Sequence, residues 1–245
     1  MKILVCISNV PDTTTKITFT PDNKQFNTAG VQFVINPYDE YALTRAIELK
    51  EKHGGSVTVL NVGEADTEPN IRKALAIGAD DAIRVNAKPS DSLFVAKQIA
   101  HYAKEGGYDM ILMGRESIDY NGFQVHGMVG ELLNMPTIVP AFRLDVDGNK
   151  ATLDREIEGG KEVVEVNMPF VASCQQPMSE PRIPNMRGIM TARTKPLKVV
   201  EAVADGKATD TESFALPPQK TGVKLIDPDN AGELIKLLRS EAKVI

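Results

Sequence analysis

The 245-residue chain has two cysteines and three histidines, and neither set forms a recognisable centre. Cys6 and Cys174 lie far apart and no C-x-x-C occurs, so the chain offers no thiol redox centre and no metal cluster. Both sit in apolar, strand-like runs and are expected to be buried thiols in a reducing compartment. His53, His101 and His126 are dispersed, and no pair has the i, i+4 spacing of a helical metal site. His53 and His101 are expected to face solvent. No Ser/His/Asp or Cys/His arrangement and no paired carboxylates stand out. Any electron chemistry therefore needs a bound cofactor. No apolar run approaches the roughly 20 residues of a membrane span. A net charge of −5 and a pI near 5.4 argue against nucleic acid as the main partner. The start, Met1-Lys2-Ile3-Leu4-Val5, runs straight into a strand, so no signal peptide is expected and the protein is read as cytoplasmic.

What remains is ordinary globular material, 42% hydrophobic and 25% charged, enough for one good core with an extension. Residues 3–7 form a short continuous apolar run, as a buried parallel strand does. A second run covers 32–35. Asn36-Pro37 then opens a helix whose apolar residues Ala42, Leu43, Ala46, Ile47 and Leu49 recur at helical spacing, until Gly54-Gly55 stops it. A strand follows over 56–60, a short helix over 70–77, a strand over 81–85, a helix over 92–104 and a strand over 110–113. This alternation specifies a parallel α/β sheet. From 141 to 168 the pattern becomes strictly alternating, with turns at Asp147-Gly148-Asn149 and Glu158-Gly159-Gly160, which predicts a small antiparallel meander grafted on the sheet. Residues 170–174 read as one more core strand. The fold class is thus a Rossmann-like parallel sheet of the adenine-nucleotide-binding type, with an antiparallel hairpin insertion. Residues 1–176 make the nucleotide-binding domain. Residues 177–245 are proline-punctuated and lack periodicity except for a terminal helix over 231–239. So long a stretch without its own core is either disordered or wraps another molecule, and its regular apolar content favours an arm that wraps.

The most informative segment is the 114–127 loop, between the 110–113 strand and a helical pattern over 128–133. A glycine-marked turn there is where open α/β sheets bind nucleotides, at strand ends and helix N–H groups. It is neither a phosphate loop nor a G-x-G-x-x-G fingerprint. Arg115 is its only cation, with amides at Asn121 and Gln124, and this economy suits one small anion. Asn36-Pro37-Tyr38-Asp39-Glu40 by itself reads as helix capping; Asp39 and Glu40 suit the helix dipole and would repel a phosphate. Arg182, Arg187, Arg193, Lys195 and Lys198 make the region after Glu180 locally basic, as a docking surface for an acidic partner would be.

Together these segments resemble the beta subunit of an electron transfer flavoprotein. The residues that carry the resemblance are Val34-Ile35-Asn36-Pro37-Tyr38-Asp39-Glu40-Tyr41-Ala42 and Ile71-Arg72-Lys73-Ala74-Leu75-Ala76-Ile77-Gly78-Ala79-Asp80. Further along come Gly114-Arg115-Glu116-Ser117-Ile118-Asp119, Arg155-Glu156-Ile157-Glu158-Gly159-Gly160, Ser179-Glu180-Pro181-Arg182 and Ile189-Met190. The resemblance implies a heterodimer with an alpha subunit that holds most of an FAD. It implies electron carriage from flavin dehydrogenases, such as acyl-CoA dehydrogenase, to a quinone reductase or other acceptor, without a bond change catalysed by this subunit. It implies a structural AMP lined by Cys6, Asn36, Pro37, Tyr38, Asp39, Val62, Gly114, Arg115, Ile118, Asp119, Asn121, Gly122, Phe123, Gln124 and Val125. Tyr38 matches an aromatic that approaches the alpha-subunit flavin. Glu156 matches an acidic partner contact, and Met186, Arg187, Ile189 and Met190 lie in the recognition loop. The arm would wrap the alpha subunit.

The alternative within the family is a bifurcating subunit whose second FAD oxidises NADH. Gln124-Val125 lean toward that pattern, whereas His126 stands where both types have glycine. The crowded, cation-poor loop favours AMP. A stand-alone universal-stress-type nucleotide-binding protein shares the sheet, but such domains end at their last strand. An ATP-pyrophosphatase-like ligase is disfavoured because Ser8-Asn9-Val10-Pro11 replaces its Ser-Gly-Gly loop.

Overall fold

The computed structural model describes residues 1–203, 206–220 and 222–245. Its main sheet has nine strands in the order β11-β5-β4-β1-β6-β10-β7-β8-β9. In chain order these are β1 (Lys2–Cys6), β4 (Ser56–Val62), β5 (Asp81–Asn86), β6 (Met110–Gly114), β7 (Thr137–Asp147), β8 (Lys150–Ile157), β9 (Gly160–Asn167), β10 (Phe170–Cys174) and β11 (Leu197–Glu201). All neighbours from β11 through to β7 are parallel; β8 and β9 are antiparallel. The central strands are apolar throughout because both faces are covered. Ile3 and Val5 pack toward α1 (Pro37–His53) and α2 (Glu68–Ile77). Leu4 and Cys6 pack toward α3 (Ser92–Gly106) and α4 (Val125–Leu133). Ile3, Leu4 and Val5 are fully buried, each worth about 1.5–3 kcal/mol of transfer free energy.

Three features depart from the sequence reading. The 32–35 run is β3 (Phe33–Ile35), which lies outside the main sheet and pairs antiparallel with β2 (Asn9–Pro11). The meander is continuous with the sheet. β7 pairs with β10 through its first half and with β8 through its second, with register shifts on both partners. Such irregularity lets one strand bend from a parallel into an antiparallel neighbourhood. The third departure lies in the tail. Helix α5 (Met186–Ala192) packs on α2, and β11 adds to β5 with Leu197 opposite Ala82 and Glu201 opposite Asn86. The short sequence Leu197-Lys198-Val199-Val200-Glu201 sits between prolines and charges and carries too little periodicity to be read as a strand. As an edge strand it pairs with β5 on one side and leaves the backbone groups of its other side to solvent.

Beyond β11 most of the described arm is exposed, although Phe214 stacks on Phe19 with ring centroids 5.1 Å apart; α6 (Ala231–Leu237) and one further helical turn lie near its end, and Val223 and Leu225 are 80% and 89% accessible. Among the described residues no helix is long and apolar enough to cross a membrane, and no group of three or more His, Cys, Asp or Glu could hold a metal ion.

Candidate functional site

From β1 the chain builds outward through β4 and β5, then returns through α3 to lay β6 on the opposite side of β1. That reversal opens a crevice beyond the carboxyl ends of β1 and β6, where open α/β sheets take their ligands. Cys6, Val62 and Gly114 end β1, β4 and β6 there, all buried. Burial and the nearby Asp39 charge push the Cys6 thiol up, and burial pushes Cys174 up to about 12; both stay protonated and unreactive.

Asn36 and Asp39 define the entrance. Asn36 stands at the N-cap of α1, but its side chain caps nothing. Its Nδ2 donates to the Glu116 carbonyl at 2.8 Å, and its Oδ1 accepts from the Ile118 amide at 3.2 Å. The capping reading of this side chain is therefore corrected: α1 starts on Pro37, and the buried Asn36 amide clamps the 114–127 loop. Asp39 does not face outward as a dipole-matching surface acid; it is 4% exposed. Its carboxylate accepts from Ser8 N at 2.8 Å, Ser8 Oγ at 2.7 Å and Gly114 N at 2.8 Å. Burial pushes its pKa up to about 6 against the pull of those hydrogen bonds, so it is ionised at neutral pH. One carboxylate thus joins the ends of β1 and β6 to the first turn of α1. Gly114 is required by this closeness: a Cβ there would lie 2.4 Å from Asp39 Oδ1 and 2.6 Å from Tyr38 Cβ.

The loop then crosses toward α3. Arg115 is partly engaged, with one side-chain hydrogen bond and its Nε–H left without an acceptor. Its Nη1 donates to Gln175 Oε1 at 3.0 Å, and its guanidinium lies 5.6 Å from the Tyr38 ring and 5.2 Å from the Phe123 ring. Its Nε approaches Glu116 Oε1 at 3.4 Å, close enough for an ion pair but without a hydrogen bond. Asn121 and Phe123 have φ of 50° and 51°, a left-handed backbone that costs a bulky side chain about 1–2 kcal/mol. Strain held at a strand-loop-helix turn marks a constrained site. Asp119, Asn121, Gly122, Phe123 and Gln124 are exposed, whereas Ile118 and Val125 are half-buried. Gln124 Nε2 donates to Ser92 Oγ at 3.0 Å, bridging the loop to the start of α3.

Helix α4 begins at Val125, so His126 lies in its first turn rather than in the open loop, 3% exposed beneath the Phe123 ring. His126 Nε2 is 3.1 Å from the Arg115 carbonyl. A carbonyl only accepts, so Nε2 carries the proton and Nδ1 is a bare acceptor, buried without a protein partner. Burial lowers the His126 pKa, and the ring is neutral at pH 7. His53 and His101 face solvent.

A crevice of about 340 Å³ lies on the α1 side of the loop, lined by Pro37, Tyr38, Tyr41, Arg115, Ile118, Gln175 and Gln176. Gln175 connects it to the meander, because its Nε2 donates to Glu156 Oε2 at 2.7 Å. Sequence reasoning missed Ser8, Ser92 and Gln175. Each is a common polar residue whose role depends on a partner far away in the chain. Met186, Arg187, Ile189 and Met190 are gathered on α5, all exposed, beside a second cavity of about 520 Å³ between α2 and α5. The structure brings them together but sets them apart from the crevice.

The chain matches the family profile described as the electron transfer flavoprotein domain over residues 24–205. An electron transfer flavoprotein subunit beta from Bacillus subtilis (strain 168) is 37% identical over 260 aligned residues, covering all of both chains. One from Syntrophomonas wolfei is 36% identical over 249 residues, covering all of this chain and 98% of the relative. The mitochondrial electron transfer flavoprotein subunit beta of Arabidopsis thaliana is 34% identical over 258 residues, again covering all of both. With the crevice, the clamped loop and the meander in place, these matches establish that the chain belongs to the electron transfer flavoprotein beta-subunit family.

Proposed function

We propose that this beta subunit pairs with an alpha subunit to carry electrons from flavin dehydrogenases, such as acyl-CoA dehydrogenase, to a quinone reductase or another acceptor. We propose further that its own crevice holds AMP as a structural ligand. The flavin, held mainly by the alpha subunit, supplies the electron chemistry when bound. The residues of this chain bind, orient and dock.

The observation that carries the AMP reading is the electrostatic state of the 114–127 loop. Its single cation, Arg115, spends one N–H on Gln175 and has part of its charge offset by the Glu116 carboxylate 3.4 Å away. His126 is neutral and keeps only an acceptor nitrogen, which can take a hydrogen bond from a ligand hydroxyl or amino group but has no proton for a phosphate. A phosphate would then rest on backbone N–H groups at the start of α4, with help from Asn121 and Gln124. One phosphate suits that supply better than a diphosphate. Cys6 and Val62 would form the apolar floor at the strand ends, and Asn36 and Asp39 would hold the loop in place.

Two surfaces fit the docking roles. Exposed Met186 and Met190, 74% and 68% accessible, offer adaptable apolar contact on α5. Glu156 at the end of β8 offers a carboxylate. The exposed apolar residues of the arm, Val223 and Leu225 among them, call for cover by the alpha subunit. The test is to purify the heterodimer, extract it and quantify nucleotides. One FAD and one AMP per dimer are expected; two FAD without AMP would replace this reading with the bifurcating one.

A further inference from the structure

The first part of the arm does not simply leave the domain. It runs antiparallel along α3 and is held at three points on one side of that helix. The Tyr102 hydroxyl donates to the Glu201 carbonyl. Gln98, fully buried, pairs with the Val203 backbone in both directions: Oε1 accepts from Val203 N at 2.8 Å and Nε2 donates to Val203 O at 3.2 Å. Asp91, the N-cap of α3, divides its carboxylate. Oδ1 accepts from the Phe94 amide at 2.7 Å, while Oδ2 accepts from Ala208 N at 2.6 Å, Thr209 N at 2.8 Å and Thr209 Oγ1 at 3.2 Å. These hydrogen bonds, that from Phe94 foremost, hold the Asp91 carboxyl below its ordinary range. The next residue, Ser92, accepts from Gln124 of the nucleotide loop.

We infer that Asp91 and Ser92 are positioning residues that make closure of the 114–127 loop and docking of the arm on α3 a single coupled event. The loop holds Ser92 and the arm holds Asp91, adjacent residues at the start of α3. Once one has fixed the first turn of α3, the other has less conformational freedom to remove, which is positive coupling without any change of fold. A nucleotide that orders the loop would thereby order the arm at Ala208 and Thr209, and a docked arm would tighten nucleotide binding. The nucleotide half of this inference rests on the proposed reading of the crevice; the loop–arm half does not.

Hydrogen exchange of the Ala208 and Thr209 amides in the purified heterodimer tests it. Ser92→Ala removes the Gln124 acceptor and alters none of the arm hydrogen bonds named above. It should speed exchange at those two amides by about fivefold, the size of one net hydrogen bond. Ser92→Thr, which keeps the hydroxyl, should restore protection. Asp91→Asn retains a good N-cap for α3 but turns an amide donor toward the arm. By reciprocity it should weaken the equilibrium affinity for the nucleotide by a comparable factor. Wild-type exchange at Ala208 and Thr209 in Ser92→Ala would overturn the coupling, as would unchanged nucleotide affinity in Asp91→Asn. If the heterodimer yields no nucleotide on extraction, the reading of the crevice fails, and the Ser92→Ala exchange result alone decides the loop–arm coupling.

Discussion

Asn36→Asp separates two physical accounts by the sign of its effect. If Asn36 were only a helix cap, aspartate would serve as well or better, because a carboxylate also complements the positive end of the helix dipole. In the structure the Asn36 side chain makes no capping bond; it donates to Glu116 O and accepts from Ile118 N, across 80 and 82 residues of sequence. Aspartate keeps the acceptor but loses the donor and places a fully buried negative charge against a carbonyl oxygen. An unmatched part-buried carbonyl costs about 1–3 kcal/mol, so a destabilisation of about 2–4 kcal/mol is expected once the buried charge is included. For a chain of this length that lowers Tm by about 4–16 °C. Urea unfolding of the heterodimer, with exchange at the Ile118 amide as the local probe, measures both parts. Asn36→Ser, an equally good cap that is too short to reach the loop, should show the same loss of Ile118 protection. Wild-type or increased stability in Asn36→Asp, with Ile118 still protected, would refute the clamp.

Three further outcomes follow from the same geometry. Gly114→Ala forces Asp39 or the Tyr38 backbone to move and should cost about 1–3 kcal/mol, read as a lower urea midpoint; an unchanged midpoint would mean that the first turn of α1 can yield. His126 has its pKa lowered by burial from the ordinary 6.5, so the folded state binds fewer protons than the unfolded one just below that value. Its contribution is complete above pH 6.5 and lost as pH falls below it, so the stability difference between wild type and His126→Gln should change with pH only in that range, checked by urea titration at a series of pH values. Phe123→Gly relieves the strain at φ 51° but removes the ring that covers His126 and Arg115. Global stability should stay within about 1 kcal/mol of wild type while the bound nucleotide leaves faster, and a large loss of stability would show that ring packing dominates.

Much of the fold could be read locally. The helix over 37–53 announces itself by apolar spacing and by Gly54, the hairpin at Gly148 by strict alternation on both sides, and the core strands by short apolar runs between turn residues. The 114–127 segment could be recognised as a strand-to-helix loop because its context, strand before and helix after, is also local. These signals depend on periodicity within about ten residues, where backbone geometry alone fixes which side chains share a face.

What the loop is made to do was decided at long range. Asn36 reads as a cap until Glu116 is placed beside it, and Asp39 as an acid that suits the helix dipole until it meets Ser8 and Gly114. His126 reads as a loop residue until α4 starts at Val125 and buries it in neutral form. The stretch after 176 reads as an arm until β11 finds the free edge of β5 and Gln98 pairs with Val203, 105 residues away. A polar side chain has several donors and acceptors it could satisfy, and its own neighbours in sequence do not say which. The sequence by itself determined most of the elements up to residue 176 and the family. Only the tertiary structure selected the partners, because a buried polar group must take whichever match the packing of distant segments delivers.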